Sequence, residues 1–235
     1  ALTSHLVGRV WRLILVELDD SLYDRLSVQH GDDPRIEVHH ADILDTPLER
    51  LTTDVAGLKV IGNIPYNITT PIIFHLLERP VRPAMIVLMV QREVAERILA
   101  PPGGKTYGAL AVSVQSVARV ERVLNVGRGA FRPSPDVDST VIRIVPHNPS
   151  RLGPELEGAL RFLTRLAFGQ RRKQFQRILR DAFSLSPEGV AALETTTGMD
   201  LTARPETFSP EQFIRLATVL KEEGRIPRGS PAPPD

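Results

Sequence analysis

Five consecutive residues carry the sharpest chemical signal in this chain: Asn63-Ile64-Pro65-Tyr66-Asn67. They follow the apolar run Leu58-Lys59-Val60-Ile61-Gly62, which reads as a buried strand. The set begins with an amide that both donates and accepts hydrogen bonds. A proline then fixes the backbone, and an aromatic ring comes directly after it. In isolation, Asn-x-Pro ends a strand and opens a turn. At the carboxyl end of a strand in an open α/β sheet, the same residues stand where ligands collect. Such a set binds and orients, and it contains no nucleophile. Two carboxylates occupy equivalent places. Leu13-Ile14-Leu15-Val16 ends in Glu17-Leu18-Asp19, and Ile36-Glu37-Val38-His39-His40-Ala41 ends in Asp42. Glu17, Asp42 and Asn63 thus become one candidate site.

The elements that must position these residues follow from the same pattern. Ala84-Met85-Ile86-Val87-Leu88-Met89-Val90 is a fourth apolar run. Helical stretches lie between the runs, at residues 21–29 and 70–78. Thr69 or Thr70 is expected to cap the second, with Pro71 in its first turn. Strands alternating with helices predict an α/β fold with a parallel, doubly wound sheet. A boundary is expected at Pro146-His147-Asn148-Pro149-Ser150, giving a catalytic unit over 1–148 and a small all-helical unit over 149–225. In the second unit Phe175, Ile178, Leu179, Ala182 and Phe183 mark one apolar helix face. Residues 211–221 read as a further helix. The Pro-rich stretch 226–235 reads as a disordered tail.

Composition narrows the function classes. The chain has 235 residues, 42% of them hydrophobic and 24% charged, as in an ordinary globular protein. It has no cysteine, which excludes a disulfide scaffold, a thiolate-bound zinc and a thiol nucleophile. The six His residues (5, 30, 39, 40, 75 and 147) show no metal-ligand spacing, and His39-His40 reads as a strand edge, so no metal is expected. No apolar run approaches the ~18–20 residues of a membrane span. A net charge of +1, from 29 basic and 28 acidic residues, hides an asymmetry. Residues 161–180 carry Arg161, Arg165, Arg171, Arg172, Lys173, Arg177 and Arg180 with no acidic residue among them. Ion pairs along the helix cannot compensate this run. An anionic partner is therefore at least as good an account as a solvated face.

Asn63-Ile64-Pro65-Tyr66 resembles the motif of S-adenosylmethionine-dependent methyltransferases that act on the exocyclic amine of adenine. Further stretches resemble one branch, the ribosomal RNA adenine N6,N6-dimethyltransferase family. They are Asn67-Ile68-Thr69-Thr70-Pro71-Ile72, Lys105-Thr106-Tyr107-Gly108, Phe131-Arg132-Pro133-Ser134-Pro135-Asp136-Val137-Asp138-Ser139, and Phe168-Gly169-Gln170-Arg171-Arg172-Lys173. The resemblance covers residues 1 to about 225. It implies a Rossmann-like methyltransferase sheet, S-adenosylmethionine as methyl donor, and small-subunit (16S) rRNA in the immature 30S particle as substrate. It further implies dimethylation of two adjacent adenosines near the 3′ end, by a cytoplasmic monomer with no membrane partner.

The resemblance also implies roles. The Asn63 side-chain oxygen and the Ile64 carbonyl would accept hydrogen bonds from the target amine, with Pro65 aiming that carbonyl. Tyr66 and Phe131 would stack on an adenine turned out of its helix. Glu17 would hold the ribose hydroxyls of the donor, and Asp42 the amine of the donor's adenine. Arg161, Arg165, Arg171, Arg172, Lys173 and Arg177 would meet RNA phosphates. In the family, a Gly-x-Gly-x-Leu-Thr loop and the strand before it would stand immediately ahead of Leu2-Thr3. Residues 1–235 by themselves are accordingly expected to bind the donor poorly. Two alternatives remain open: an Erm-type enzyme methylating large-subunit rRNA, and a non-catalytic ribosome-assembly or transcription factor of the same fold. Thr70-Pro71-Ile72 and Val137-Asp138-Ser139 favour the small-subunit branch. An intact Asn63 motif speaks against the non-catalytic reading.

Overall fold

Strand β1 (Leu13–Glu17) feeds through helix α2 (Asp20–His30) into strand β2 (Ile36–His40). The two strands pair in parallel from Leu13↔Ile36 to Glu17↔His40, the geometry a helical crossover permits. A short helix, α1 (Leu2–Leu6), precedes them, and α3 (Leu48–Leu51) follows. Asp19 caps α2 by accepting from the Leu22 N–H at 2.9 Å. The computed structural model describes residues 2–147, 150 and 152–226. The expected boundary at residues 148 and 149, and positions 227–235 of the expected tail, lie outside the described residues.

A second sheet holds the centre of the molecule. Strand β3 (Lys59–Asn63) is followed by helix α4 (Thr69–Leu77) and strand β4 (Met85–Gln91), and β3 and β4 pair in parallel. Helices α5 (Arg92–Leu99) and α6 (Ala109–Val117) come next, then strands β5 (Ala118–Val126) and β6 (Ser139–Pro146). The strand order is β3-β4-β6-β5, with β6 antiparallel to both neighbours. The expected parallel pairing holds for β1–β2 and β3–β4, while β6 makes the second sheet mixed: β5 returns into β6 through the loop of residues 127–138, and such a return needs no crossover helix. No ladder joins β1 to β3.

Helices α7 (Pro154–Gly169), α8 (Phe175–Phe183), α9 (Pro187–Thr197) and α10 (Pro210–Glu222) follow. Ser209 and Gln212 form a reciprocal cap at the start of α10. On α8, Phe175, Ile178 and Leu179 are buried as the period predicts, whereas Ala182 is exposed. Buried residues of the second sheet and of the helical part belong to one apolar cluster. Tyr107, with no exposed surface, links them. Its hydroxyl donates to the Phe208 carbonyl at 2.9 Å, and its ring meets Phe168 edge-on at 6.0 Å. The buried Arg82 adds a polar tie: its guanidinium pairs with Glu157 of α7 and donates to Ser150 Oγ at 2.9 Å.

Candidate active site

The Asn63 motif stands where a strand ends and the chain turns. Asn63 is the last residue of β3, opposite Met89 of β4. It is exposed, and its amide makes no side-chain hydrogen bond among the described residues. Gly62 allows this end of the strand to lie close: a Cβ there would meet Ile64 Cγ2 at 3.0 Å and Leu88 Cδ2 at 3.2 Å. Pro65 (φ −56°, ψ 137°) starts a 3₁₀ turn over Tyr66–Ile68, and its carbonyl accepts from the Ile68 N–H at 3.2 Å. This turn displaces the expected threonine cap. Thr69 is the first residue of α4, Ile68 precedes it, and no side chain caps the helix.

Phe131 lies far along the chain, at the end of a 3₁₀ turn over Arg128–Ala130 in the loop before β6. It is half-buried and stands outside the apolar cluster, as a loop residue and not a core aromatic. One hydrogen bond ties this loop's end to the Asn63 motif: the Tyr66 and Ser139 hydroxyls are 2.7 Å apart. Reading the sequence missed Ser139 as a site residue. Its signal was its place at the end of the stretch that starts with Phe131.

Glu17 and Asp42 come together at the end of the β1–β2 pair. The Glu17 carbonyl accepts from the Ala41 N–H at 3.0 Å, beside Asp42. Glu17 Oε1 accepts from the Leu18 and Asp19 N–H groups at 2.9 and 3.0 Å. Asp42 Oδ1 accepts from the Leu44 N–H at 2.8 Å. Among the described residues Glu17 Oε2 and Asp42 Oδ2 have no partner, so each offers an acceptor held by backbone. The turn after Asp42 also reaches the helix that follows Asn63. Thr46 Oγ1 donates to the Asp42 carbonyl at 2.6 Å, and the Thr46 carbonyl lies 3.1 Å from His75 Nε2 on α4. No direct bond joins Asn63 to either carboxylate. Among the described residues, no group of three or more His, Asp or Glu side chains gathers as metal ligands would.

The basic run is less bare than its sequence implies. Arg161 pairs with Glu78 at 2.8 Å, Arg171 with Glu206 at 2.9 Å, and Lys173 with Asp181 at 3.4 Å. Arg171 also donates to the Lys105 carbonyl at 3.3 Å. The expectation of uncompensated charge is corrected: the fold brings Glu78 and Glu206 from distant segments, and Asp181 from just beyond the run, which spacing along one helix cannot show. Arg165 is exposed and has an interaction of its own. Among the described residues Arg172, Arg177 and Arg180 are exposed and form no close ion pair, although Arg180 is near enough to Glu188 to help lower its carboxyl pKa.

The chain is similar to known proteins along most of its length. A family model described as ribosomal RNA adenine dimethylase matches residues 1–222. The chain is 41% identical over 226 residues to a ribosomal RNA small subunit methyltransferase A of Pseudomonas aeruginosa, covering 94% of this chain and 81% of that protein. It is 39% identical over 223 residues to its namesake in Pseudomonas savastanoi pv. phaseolicola, covering 95% and 81%. The fold is that of a dimethyladenosine transferase from Plasmodium falciparum (TM-score 0.75, 22% identity, 94% of this chain and 88% of that one). The 23S rRNA methyltransferase ErmE is also similar, with a TM-score of 0.67 and 26% identity over 94% of this chain and 86% of that one. On the match across nearly its whole length, the chain belongs to the ribosomal RNA adenine dimethylase family.

Proposed function

We infer that the protein transfers methyl groups from S-adenosylmethionine to the exocyclic N6 of two adjacent adenosines near the 3′ end of small-subunit (16S) rRNA during ribosome biogenesis. The observation that carries this is the placement of Asn63. It is an exposed, unpartnered amide at a strand's carboxyl end, beside a tyrosine tethered to the Phe131 loop. Identity to relatives named for the small subunit, at 39–41%, exceeds that to the 23S enzyme at 26%.

The chemistry asks for orientation more than for a base. The adenine amine is a poor nucleophile because its lone pair is delocalised into the ring. Hydrogen bonds from its two protons to the Asn63 side-chain oxygen and the Ile64 carbonyl favour a pyramidal nitrogen with that pair free. Pro65 holds the carbonyl in place. Tyr66 and Phe131 return part of the unstacking cost by stacking, worth roughly 1–3 kcal/mol per base. The donor supplies an electrophilic methyl group on a sulfonium. Glu17 Oε2 and Asp42 Oδ2 are open acceptors suited to its ribose hydroxyls and adenine amine. After transfer the nitrogen is a strong acid and loses its proton to water.

The chain acts as a cytoplasmic monomer on the immature 30S particle. Residues 1–148 carry the chemistry and 149–225 bind RNA. Arg161, Arg165, Arg171, Arg172, Lys173 and Arg177 face phosphates, and the share of each depends on its existing partner. Replacing Arg172 and Arg177 by Ala lowers the salt slope of subunit binding by about 2. Replacing the already paired Arg161 and Arg171 lowers it less. Equal slopes for the two double variants count against this division.

Labelled donor offered with immature small subunits tests the whole reading. The full chain places label on adenine of small-subunit rRNA and not of large-subunit rRNA. Asn63→Ala loses about 100-fold or more in turnover with subunit affinity unchanged. Turnover by that variant at the original rate removes the assignment.

A further inference from the structure

Both rings assigned to stacking are held from one place. Tyr66 Oη lies 2.7 Å from Ser139 Oγ, and Ser139 is 0% exposed. Neither hydroxyl makes another hydrogen bond among the described residues. Ser139 opens β6 and lies opposite both Gln91 of β4 and Val126 of β5, so its backbone is pinned from two sides. The residue before it closes the loop that carries Phe131. Asp138 Oδ1 accepts from the Arg128 N–H at 3.1 Å, and Oδ2 pairs with the Arg92 guanidinium at 3.0 Å. The Asp138 carbonyl accepts from the Arg92 N–H at 3.0 Å. Inside the loop, Ser134 Oγ donates to the Arg128 carbonyl at 3.0 Å. Residues 128–138 are thus a compact loop with its ends tied together.

We propose, resting on the reading above, that Asp138 and Ser139 are positioning residues for methyl transfer. Ser139 sets the Tyr66 ring, Asp138 sets the loop of Phe131, and their adjacency at one strand end fixes the slot between the two rings. A tyrosine ring without this tether turns about two side-chain torsions, and a loop without its closing carboxylate opens at the neck. Misplacement by about 1 Å costs as much as 100-fold in rate. Stability depends little on the Asp138 half. Its carboxylate and Arg92 are 36% and 55% exposed, and ion pairs of that exposure hold folds weakly. The device serves geometry.

The test uses the full chain, small subunits and labelled donor. Ser139→Ala and Tyr66→Phe each lower kcat about tenfold with KM for the subunit unchanged, and the double variant is no slower than either single one, as two ends of one bond require. Tyr66→Phe leaves the buried position untouched, so it reports even where Ser139→Ala folds poorly. Asp138→Asn keeps an acceptor for the Arg128 N–H but loses the charge facing Arg92, and it slows turnover less than Asp138→Ala. With 2-aminopurine at the target position, binding to the original protein quenches its emission. Ser139→Ala and Asp138→Ala lose the quench at unchanged RNA affinity, which a merely structural role would not produce. Multiplying effects of Ser139→Ala and Tyr66→Phe, or intact kcat and quench in all variants, overturn the proposal. Asn63→Ala run beside them separates the two claims: activity there removes the underlying reading, whereas an inactive Asn63→Ala beside unaffected Ser139 and Asp138 variants removes only this one.

Discussion

The β1–α2–β2 region and the β3–β6 sheet are built to different depths. Neither β1 nor α2 contains a buried residue, and β2 contains one, Ile36. Val28 of α2 is 88% exposed. In the other sheet Ile86, Leu88 and Val90 of β4 and Ile142 and Ile144 of β6 are 0–1% exposed. The proposed base-holding residues, Asn63, Tyr66 and Phe131, stand on or beside the deep sheet. The proposed donor-holding pair, Glu17 and Asp42, stands on the shallow one. Backbone pairing, the partial burial of Ile14 and Val16 and half-exposed ion pairs hold that region, such as Arg12–Glu37 at 2.6 Å and Arg35–Asp33 at 2.7 Å, and such pairs contribute little each. One side of the site is thus preorganised by packing. The other is packed less deeply, with Ile14 and Val16 of β1 only partly buried against the apolar cluster.

The largest expected effect separates the two by truncation. Ile142→Ala removes a fully buried side chain from the deep sheet and costs about 2–5 kcal/mol of unfolding free energy. Leu15→Ala, at a half-buried position in β1, costs about 1 kcal/mol. Chemical denaturation of both variants measures the gap, and equal losses would erase the distinction.

Hydrogen exchange gives the next effect. Amides of β1 and β2 exchange through local opening well before those of β4 and β6, because opening free energy follows buried contact. Adding S-adenosylmethionine at about 100 times its Kd raises protection in β1 and β2 by up to about 2.7 kcal/mol, and it changes β6 little. Uniform protection across both sheets, or a donor effect confined to β6, breaks the comparison.

What the sequence made legible follows from the range of each interaction. The four apolar runs became β1 to β4 because burial leaves a local periodic trace, and the helix at 175–183 was readable for the same reason. Strands β5 and β6 were not read. In β5 the positions from Arg122 to Asn125 are all exposed, so no apolar alternation marks it. Tyr66 and Ser139 are separated by 73 positions, and nothing in either neighbourhood announces their bond. The pairing of Arg161 with Glu78 and of Arg171 with Glu206 was hidden in the same way. A charge run is visible in one dimension, while its compensation needs three. Thr69 failed as a cap for a nearer reason: the 3₁₀ turn after Pro65 took up the approach to the helix.

The smallest expected effect is acid weakening of the shallow region. Three carboxylates there are held below their ordinary range. Asp33 is lowered to about 2, chiefly by hydrogen bonds from the Arg35 side chain and backbone. Glu37 is lowered chiefly by the Arg12 guanidinium, and Asp19 by the Leu22 N–H. A group whose folded pKa is depressed contributes stability above its unfolded pKa and loses it as pH falls through the folded one. For Asp33 that window runs from about 4, the unfolded value, down to about 2. Asp33→Asn keeps the size and removes the titration. The variant should therefore melt slightly below the original at pH 7, and the difference should close as pH falls through that window. Asp33 is exposed to solvent screening, so the shift is small, and thermal melts in low salt resolve it best. A melting difference that stays constant from pH 7 to the bottom of the window would mean that the Arg35 contact does not persist in solution. The shallow region would then rest on its β1–β2 backbone ladder more than on its charges.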